Sequence, residues 1–363
     1  MSTQKNTPIN KGHSLDLETP ERLEKFYSKL SKGWEEEYKV YRRLWHELPK
    51  KHEIRDYPLL VDLETVSRCN LKCPMCPTVT EEFVDKRVTP YKKGLLDFDL
   101  IEKIINEVAG KIYSLRLSWI GEPTLHPKLV DAVRLAKHKG IKEVSFLTNG
   151  SRLDLDYFKK LVDAKVDLIT VSIDGMDDTY NMIRSPLKFN ETLKKLQDIS
   201  DFKKTNRIDK PLIKIQGIWP AVKENPEKFY NLFAPIVDLI AFNPLIDYLH
   251  KDSDIVYEQD FSCSQHYQRV TIGSNGKASM CSNDDFMDIK VGDSRNQTIH
   301  EIWHGPQFQK LREIHKEKDG FMKLVSCKKC YYPRKMAEDE QAVINGRTVK
   351  IENYIHRSQE IGT

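Results

Sequence analysis

The 363-residue sequence has no run of about 18 apolar residues, so no membrane span is expected. Its opening stretch, MSTQKNTPINKGHS, lacks an apolar core and a small-residue cleavage site, so no secretory leader is expected either. It also lacks a charge excess. The formal net charge is +4, with Lys and Arg interleaved among Asp and Glu rather than gathered in a stripe. A nucleic-acid partner is therefore not expected, while a mildly anionic small substrate is compatible. Hydrophobic residues at 39% against 31% charged are the balance of a folded chain rather than a disordered one. Together these absences predict a cytoplasmic protein.

What the sequence does have is seven cysteines, unevenly placed. Cys69, Cys73 and Cys76 are clustered, and Cys263, Cys281, Cys327 and Cys330 lie late. An odd count without an export signal argues against a disulfide framework, and clustered thiols in a reducing compartment more often bind metal.

Residues 1–18 are polar and expected to be disordered. Thr19-Pro20-Glu21 then reads as an N-cap followed by proline at the first helical position. Apolar and aromatic residues from Leu23 to Trp45 recur at helical spacing, which predicts a helical extension over 1–57. It packs on the main domain or, as the alternative, covers a substrate cleft. From residue 58 strands alternate with amphipathic helices. The strand candidates are Leu59–Val66, Ile112–Trp119, Val144–Thr148, Leu168–Ile173, Ile213–Ile218 and Val237–Phe242. The helices fall near 99–109, 127–139, 154–164, 190–200 and 225–234. This is the pattern of parallel βαβ units. Six units are too few for a closed eight-stranded barrel, so an open barrel or a doubly wound sheet is expected, with its site at the carboxyl ends of the strands. Beyond residue 255 the alternation stops. Arg269–Ile272 and Lys277–Cys281 read as a hairpin around Ser274-Asn275-Gly276, with Asn-Gly supplying positive φ angles. A short helix near Gln307–His315 precedes Cys327-Lys-Lys-Cys330. The final residues hold a further Asn345-Gly346 turn and no recognisable chemistry.

Cys69-Asn-Leu-Lys-Cys73-Pro-Met-Cys76 follows the first strand directly. Its CX3CX2C spacing brings three thiolates onto one loop, which leaves the fourth iron of a [4Fe–4S] cube open, whereas a structural zinc would take four ligands. The motif in this place resembles the radical S-adenosylmethionine (SAM) superfamily. That family usually has an aromatic residue where Met75 stands here, near the adenine. Trp119-Ile-Gly121-Glu122-Pro123 ends the second strand and resembles the family's GGEP segment, with Ile120 in place of the first glycine. The resemblance implies that Glu122, or the backbone carbonyls beside it, binds the methionyl ammonium of SAM. Thr148-Asn149 and Ser172-Ile-Asp174 resemble its contacts to the ribose and carboxylate, and Arg184 matches an arginine that pairs with the carboxylate. Gln216 is expected to face the cofactor. The likeness covers about residues 58–250.

Cys263, Cys281, Cys327 and Cys330 supply four further ligands, and their layout resembles the twitch form of the SPASM domain. That implies one auxiliary [4Fe–4S] cluster. A Cys3His zinc site of Cys263, His266, Cys327 and Cys330 is the alternative, and it would strand Cys281. The expected architecture is thus α/β: a partial (β/α)6 radical SAM barrel over 58–255, a SPASM/twitch-like domain over 256–340 and a tail over 341–363.

Membership of this family implies that SAM bound at the open iron yields a 5′-deoxyadenosyl radical, which takes a hydrogen atom from the substrate. Flavodoxin or ferredoxin is the implied reductant. Oxidation of an alcohol carbon in a small sugar- or cyclitol-like molecule is the leading expectation, with the auxiliary cluster accepting the electron. Peptide or protein maturation and radical epimerisation are the alternatives. Epimerisation commonly needs a thiol donor, and all seven cysteines have ligand roles. Maturases often carry an N-terminal peptide-recognition module, for which residues 1–57 look too short. Asp174, His126 and Arg184 stand near strand ends, but position alone assigns no base.

Overall fold

The computed structural model describes residues 15–16, 18–90, 94–357 and 360. Most of the stretch expected to be disordered lies outside these residues. Two described pieces of it are ordered. Leu15–Asp16 (β1) adds an antiparallel edge strand, and the buried Glu18 carboxylate accepts from Arg22 and from the Ile240 amide.

The six expected strands are present as β2 (Leu60–Leu63), β3 (Ser114–Arg116), β4 (Glu143–Thr148), β5 (Leu168–Ser172), β6 (Leu212–Ile218) and β7 (Leu239–Asn243). Each pairs in parallel with the next. Side chains alternate between the faces of a strand, and the two faces differ here. Val61, Leu63, Leu115, Val144, Ile169, Ile215 and Ile240 point into one core with Ile101, Ile104, Val133, Phe158 and Leu161 of the helices. The alternate positions Arg116, Ser118, Ser172 and Gln216 line a cavity. The crossing helices fall at Phe98–Val108, Leu129–His138, Leu155–Asp163, Phe189–Thr205 and Pro226–Phe233, close to the expected spans.

The late hairpin is not a separate sheet. Its strands β8 (Arg269–Ile272) and β9 (Lys277–Ser279) extend the core sheet, because β8 pairs in parallel with β2. With β10 (Lys290–Asp293) the strand order is β1-β7-β6-β5-β4-β3-β2-β8-β9-β10. The sheet stays open, and no pairing among the described residues closes it into a barrel. At the β8–β9 turn only Gly276 takes a positive φ (76°), because Asn275 uses its side chain to accept from the Lys277 amide at 3.0 Å. Asn345 and Gly346 both take positive φ (50° and 74°), the demand of a tight two-residue turn between β11 (Met336–Ile344) and β12 (Arg347–Tyr354).

The amino-terminal extension is two helices, α1 (Pro20–Ser31) and α2 (Glu35–Lys51), with Gly33 at φ 87° between them. Thr19 caps α1 by accepting from the Arg22 amide at 3.3 Å. Phe26 and Leu30 pack on Leu168, Leu212 and Leu239, which open β5, β6 and β7. Trp34, Tyr41 and Leu48 pack on Leu59 and Tyr113, just before β2 and β3. The extension thus seals the amino ends of the strands. These contacts match the expectation that the extension packs on the main domain, and Trp45 of α2 also lies 4.9 Å from the Arg269 guanidinium. No helix among the described residues is long and apolar enough to cross a membrane.

Candidate active site

One cavity of about 460 Å³ opens at the carboxyl ends of the strands, a volume suited to small molecules. Cys69, Cys73 and Cys76 all face it from the loop after β2. All seven cysteines are free thiols. Leu71 N–H donates to Cys69 Sγ at 3.4 Å, Asn149 Nδ2 reaches the same sulfur at 3.6 Å, and Thr78 Oγ1 is 3.1 Å from Cys76 Sγ. Burial pushes all three thiols up, Cys76 to about 11. Thiolates at such positions need a metal's positive charge beside them.

The sulfur spacing favours a cluster over a single ion. Tetrahedral zinc with bonds of about 2.3 Å would hold its sulfurs about 3.8 Å apart. Among the described residues, only Asp56, His300 and His304 bring three ligand atoms within 4.8 Å of one another. Neither cysteine set is gathered for one ion, whereas thiolates that each serve a different iron of a cube stand further apart.

Of the residues expected to bind SAM, Met75, Gly121, Glu122, Asn149, Ser172, Asp174, Arg184 and Gln216 line this cavity. Thr148 does not. It is fully buried, and its hydroxyl donates to Glu122 Oε1 at 2.7 Å. Glu122 also accepts from the Thr124 amide and hydroxyl and from the Asn149 amide at 2.6–2.9 Å. Three of these donors converge on Oε1 and the Asn149 amide reaches Oε2, so the carboxylate ties the ends of the second and third core strands together. Glu122→Ala strands these donors and is expected to cost roughly 3 kcal/mol or more, read as a lower denaturation midpoint. Arg184 Nη2 stands 2.5 Å from Asp174 Oδ2. Burial opposes its charge, but Asp174 and Cys73 outweigh burial and keep it ionised.

Gly121 is required by close approach. A Cβ there would stand 2.2 Å from the Val66 carbonyl oxygen and 2.7 Å from that of Arg68, on the segment leading into the cysteine loop. Gly121→Ala is expected to displace that segment and to lose the first cluster's share of iron, about half of the total, after anaerobic reconstitution.

The four late cysteines line a second, smaller cavity with Phe261, Met280 and Tyr332. Burial pushes Cys263 to about 12 and Cys330 to about 11. His315 Nδ1 accepts from the Cys263 amide at 3.4 Å, so its Nε2–H is the donor facing Cys327 Sγ at 3.7 Å. Burial holds His315 down at about 4, hence neutral. His266, the histidine of the alternative zinc site, hydrogen-bonds no cysteine sulfur among the described residues. Both its ring nitrogens are buried without a hydrogen-bond partner, and its ring packs on His315 at 4.6 Å.

A family model described as the radical SAM superfamily matches residues 63–210, and one described as an iron-sulfur cluster-binding domain, SPASM, matches 263–331. The chain is a radical SAM protein with a C-terminal SPASM domain. Its cofactors are a [4Fe–4S] cluster with SAM and auxiliary iron–sulfur in the SPASM region. It is 29% identical over 205 residues to a tungsten-containing aldehyde ferredoxin oxidoreductase cofactor-modifying protein of Pyrococcus furiosus, covering 54% of each chain. It is 24% identical over 310 residues to an AdoMet-dependent heme synthase of Methanosarcina barkeri, covering 70% of this chain and 85% of that one. The match to the Pyrococcus relative spans about half of that protein's length. In fold it is similar to BtrN in complex with AdoMet and 2-DOIA (TM-score 0.50, 18% identity, 75% of this chain and 92% of that one). It is also similar to anSMEcpe with bound AdoMet (TM-score 0.52, 18% identity, 77% and 91%).

The radical SAM cavity holds groups that sequence reasoning missed. Asp285, from the loop between β9 and β10, lines it, and its carboxylate has no hydrogen-bond partner among the described residues. Burial pushes Asp285 to about 8, with Asp284 adding to the rise and Arg87 opposing it. Arg87 positions this loop. It pairs with Glu64 at 2.6 Å, donates to the Asp285 carbonyl and stacks 4.4 Å from the Trp119 ring. Tyr248, Tyr331, Tyr332 and Tyr354 face the same cavity, and Tyr332 and Asn283 also line the second one, beside Cys330.

Proposed function

We propose that the chain oxidises an alcohol carbon of a small sugar- or cyclitol-like substrate to a carbonyl. The observation that carries this reading is Asp285, an unpartnered carboxylate in a small-molecule cavity faced by one cysteine set and adjoining the other.

Cys69, Cys73 and Cys76 would hold the first cluster with one iron open to SAM. Cys263, Cys281, Cys327 and Cys330 would hold a fully ligated auxiliary cluster. When bound, these groups supply the radical that removes a hydrogen atom from the substrate and the acceptor for the electron left behind. Removal of a hydrogen atom, a proton and an electron converts a carbinol to a carbonyl, so the chain must supply a place for the proton. Asp285 is the group for it, with Arg87 holding its backbone. The other candidates are occupied. Asp174 faces Arg184 and accepts from the Ile218 amide. His126 Nδ1 accepts from the Lys128 amide, and its Nε2 is 2.9 Å from the Leu96 carbonyl oxygen, outside the cavity. Flavodoxin or ferredoxin is the proposed reductant.

The test is to incubate the reconstituted, reduced protein and SAM with panels of sugars, cyclitols and peptides. A polyol that raises 5′-deoxyadenosine formation and yields one carbonyl per SAM cleaved supports the reading. Stimulation by peptides alone would replace it with maturation. Solvent deuterium entering unoxidised product would replace it with epimerisation.

A further inference from the structure

Two arginines in the cavity share a single acid. Arg116 on β3 and Arg269 at the start of β8 flank Asp62 on β2, the strand between them. Arg116 Nε stands 2.8 Å from Asp62 Oδ1, and Arg269 Nη1 stands 3.2 Å from Oδ2. Asp62 is fully buried and one carboxylate cannot neutralise two guanidiniums, so the trio keeps one net positive charge. The other cations nearby are matched: Arg184 by Asp174 and Arg87 by Glu64. Arg269 Nε is buried without a hydrogen-bond partner, and its guanidinium lies 4.9 Å from the Trp45 ring. The closest approach of Arg116 to Asp62 is through Nε, and its two Nη atoms have no hydrogen-bond partner among the described residues.

We propose that this charge is a binding subsite for an anionic group on the substrate, a carboxylate or a phosphate, gripped by the free fork of Arg116 while Arg269 adds charge. The inference rests on the reading of this cavity as the substrate site. A guanidinium fork matches two oxygens of either anion, and its attraction is strengthened where water is scarce. An uncompensated charge in a half-buried site is costly until such a partner arrives. A neutral polyol would leave it unmatched. An acid or phosphorylated form of a sugar or cyclitol would satisfy both this charge and the oxidation proposed above.

The experiment uses the reconstituted holoprotein with SAM bound. Inorganic phosphate and, separately, acetate are titrated calorimetrically at constant ionic strength, with chloride as background anion. Saturable binding of one anion per chain is expected, weakened roughly tenfold by Arg116→Gln. Phosphate binding more tightly points to a phosphorylated substrate, and acetate to a carboxylate. Arg116→Lys keeps the charge but not the fork, so an intermediate affinity is expected. No saturable binding by wild type overturns the subsite, whatever the variants do. So does unchanged affinity in an Arg116→Gln protein of normal iron content and Tm. A parallel SAM titration separates the two failures. If SAM does not bind, the site reading falls, whereas SAM binding without anion binding removes only the subsite.

Discussion

Replacing Cys69, Cys73 and Cys76 together by alanine is expected to lower the iron of the reconstituted chain from about eight atoms to about four and to abolish SAM cleavage. The three thiols face the large cavity and the other four line a separate one, so the two sets should load independently. None of the first three sulfurs hydrogen-bonds to residues of the second cavity. Their partners, Leu71, Asn149 and Thr78, all belong to the core. Iron and sulfide analysis gives the answer directly. Retention of about four irons with loss of 5′-deoxyadenosine formation is the expected pair of results. A wild type holding about four irons plus zinc would remove the proposed electron acceptor and make a redox-neutral reaction the better description.

Asp285→Asn is expected to slow substrate oxidation by about a hundredfold or more, the usual contribution of a positioned base. In the wild type the rate should rise with pH through about 8, because the carboxylate accepts a proton only above its pKa. The variant should lose that limb. The stability effect has the opposite sign. A carboxyl raised above its unfolded value holds its proton in the folded chain, so folding weakens as pH climbs from the ordinary carboxylate range through about 8. The neutral amide escapes that loss, so Asp285→Asn should be slower in turnover and more resistant to denaturant at pH 9. A purely structural aspartate would instead give a less stable protein with an unchanged pH profile.

Much of the site was legible because its parts are local. CX3CX2C places three cysteines on one loop whatever the rest of the chain does, and CX2C does the same for Cys327 and Cys330. Gly121, Asn149, Ser172 and Gln216 could be placed because strand ends in parallel α/β sheets converge on one face. Thr148 failed by one step of the strand period. It is fully buried behind Glu122, which together with its neighbour Asn149 lines the cavity. His315 escaped notice because it lies inside an ordinary amphipathic helix, Pro306–Lys316, whose buried face carries it to Cys327. A histidine three residues after Cys263 looked like the ligand, yet His266 is held among other rings.

By itself the sequence determined the alternation of strands and helices, the two cysteine sets and the capped start of α1, since each depends on spacing along a few residues. Only the tertiary structure decided which end of the strands α1 and α2 seal, and that the late hairpin joins the core sheet beside β2. That parallel pairing brings Arg269 to Asp62, and Trp119 donating to the Ser282 carbonyl at 2.7 Å ties the Asp285 loop to the cavity's edge. The acid and the arginines that line this cavity come from segments far apart in the chain. Their meeting depends on strand register and loop packing, and residue spacing carries no record of either.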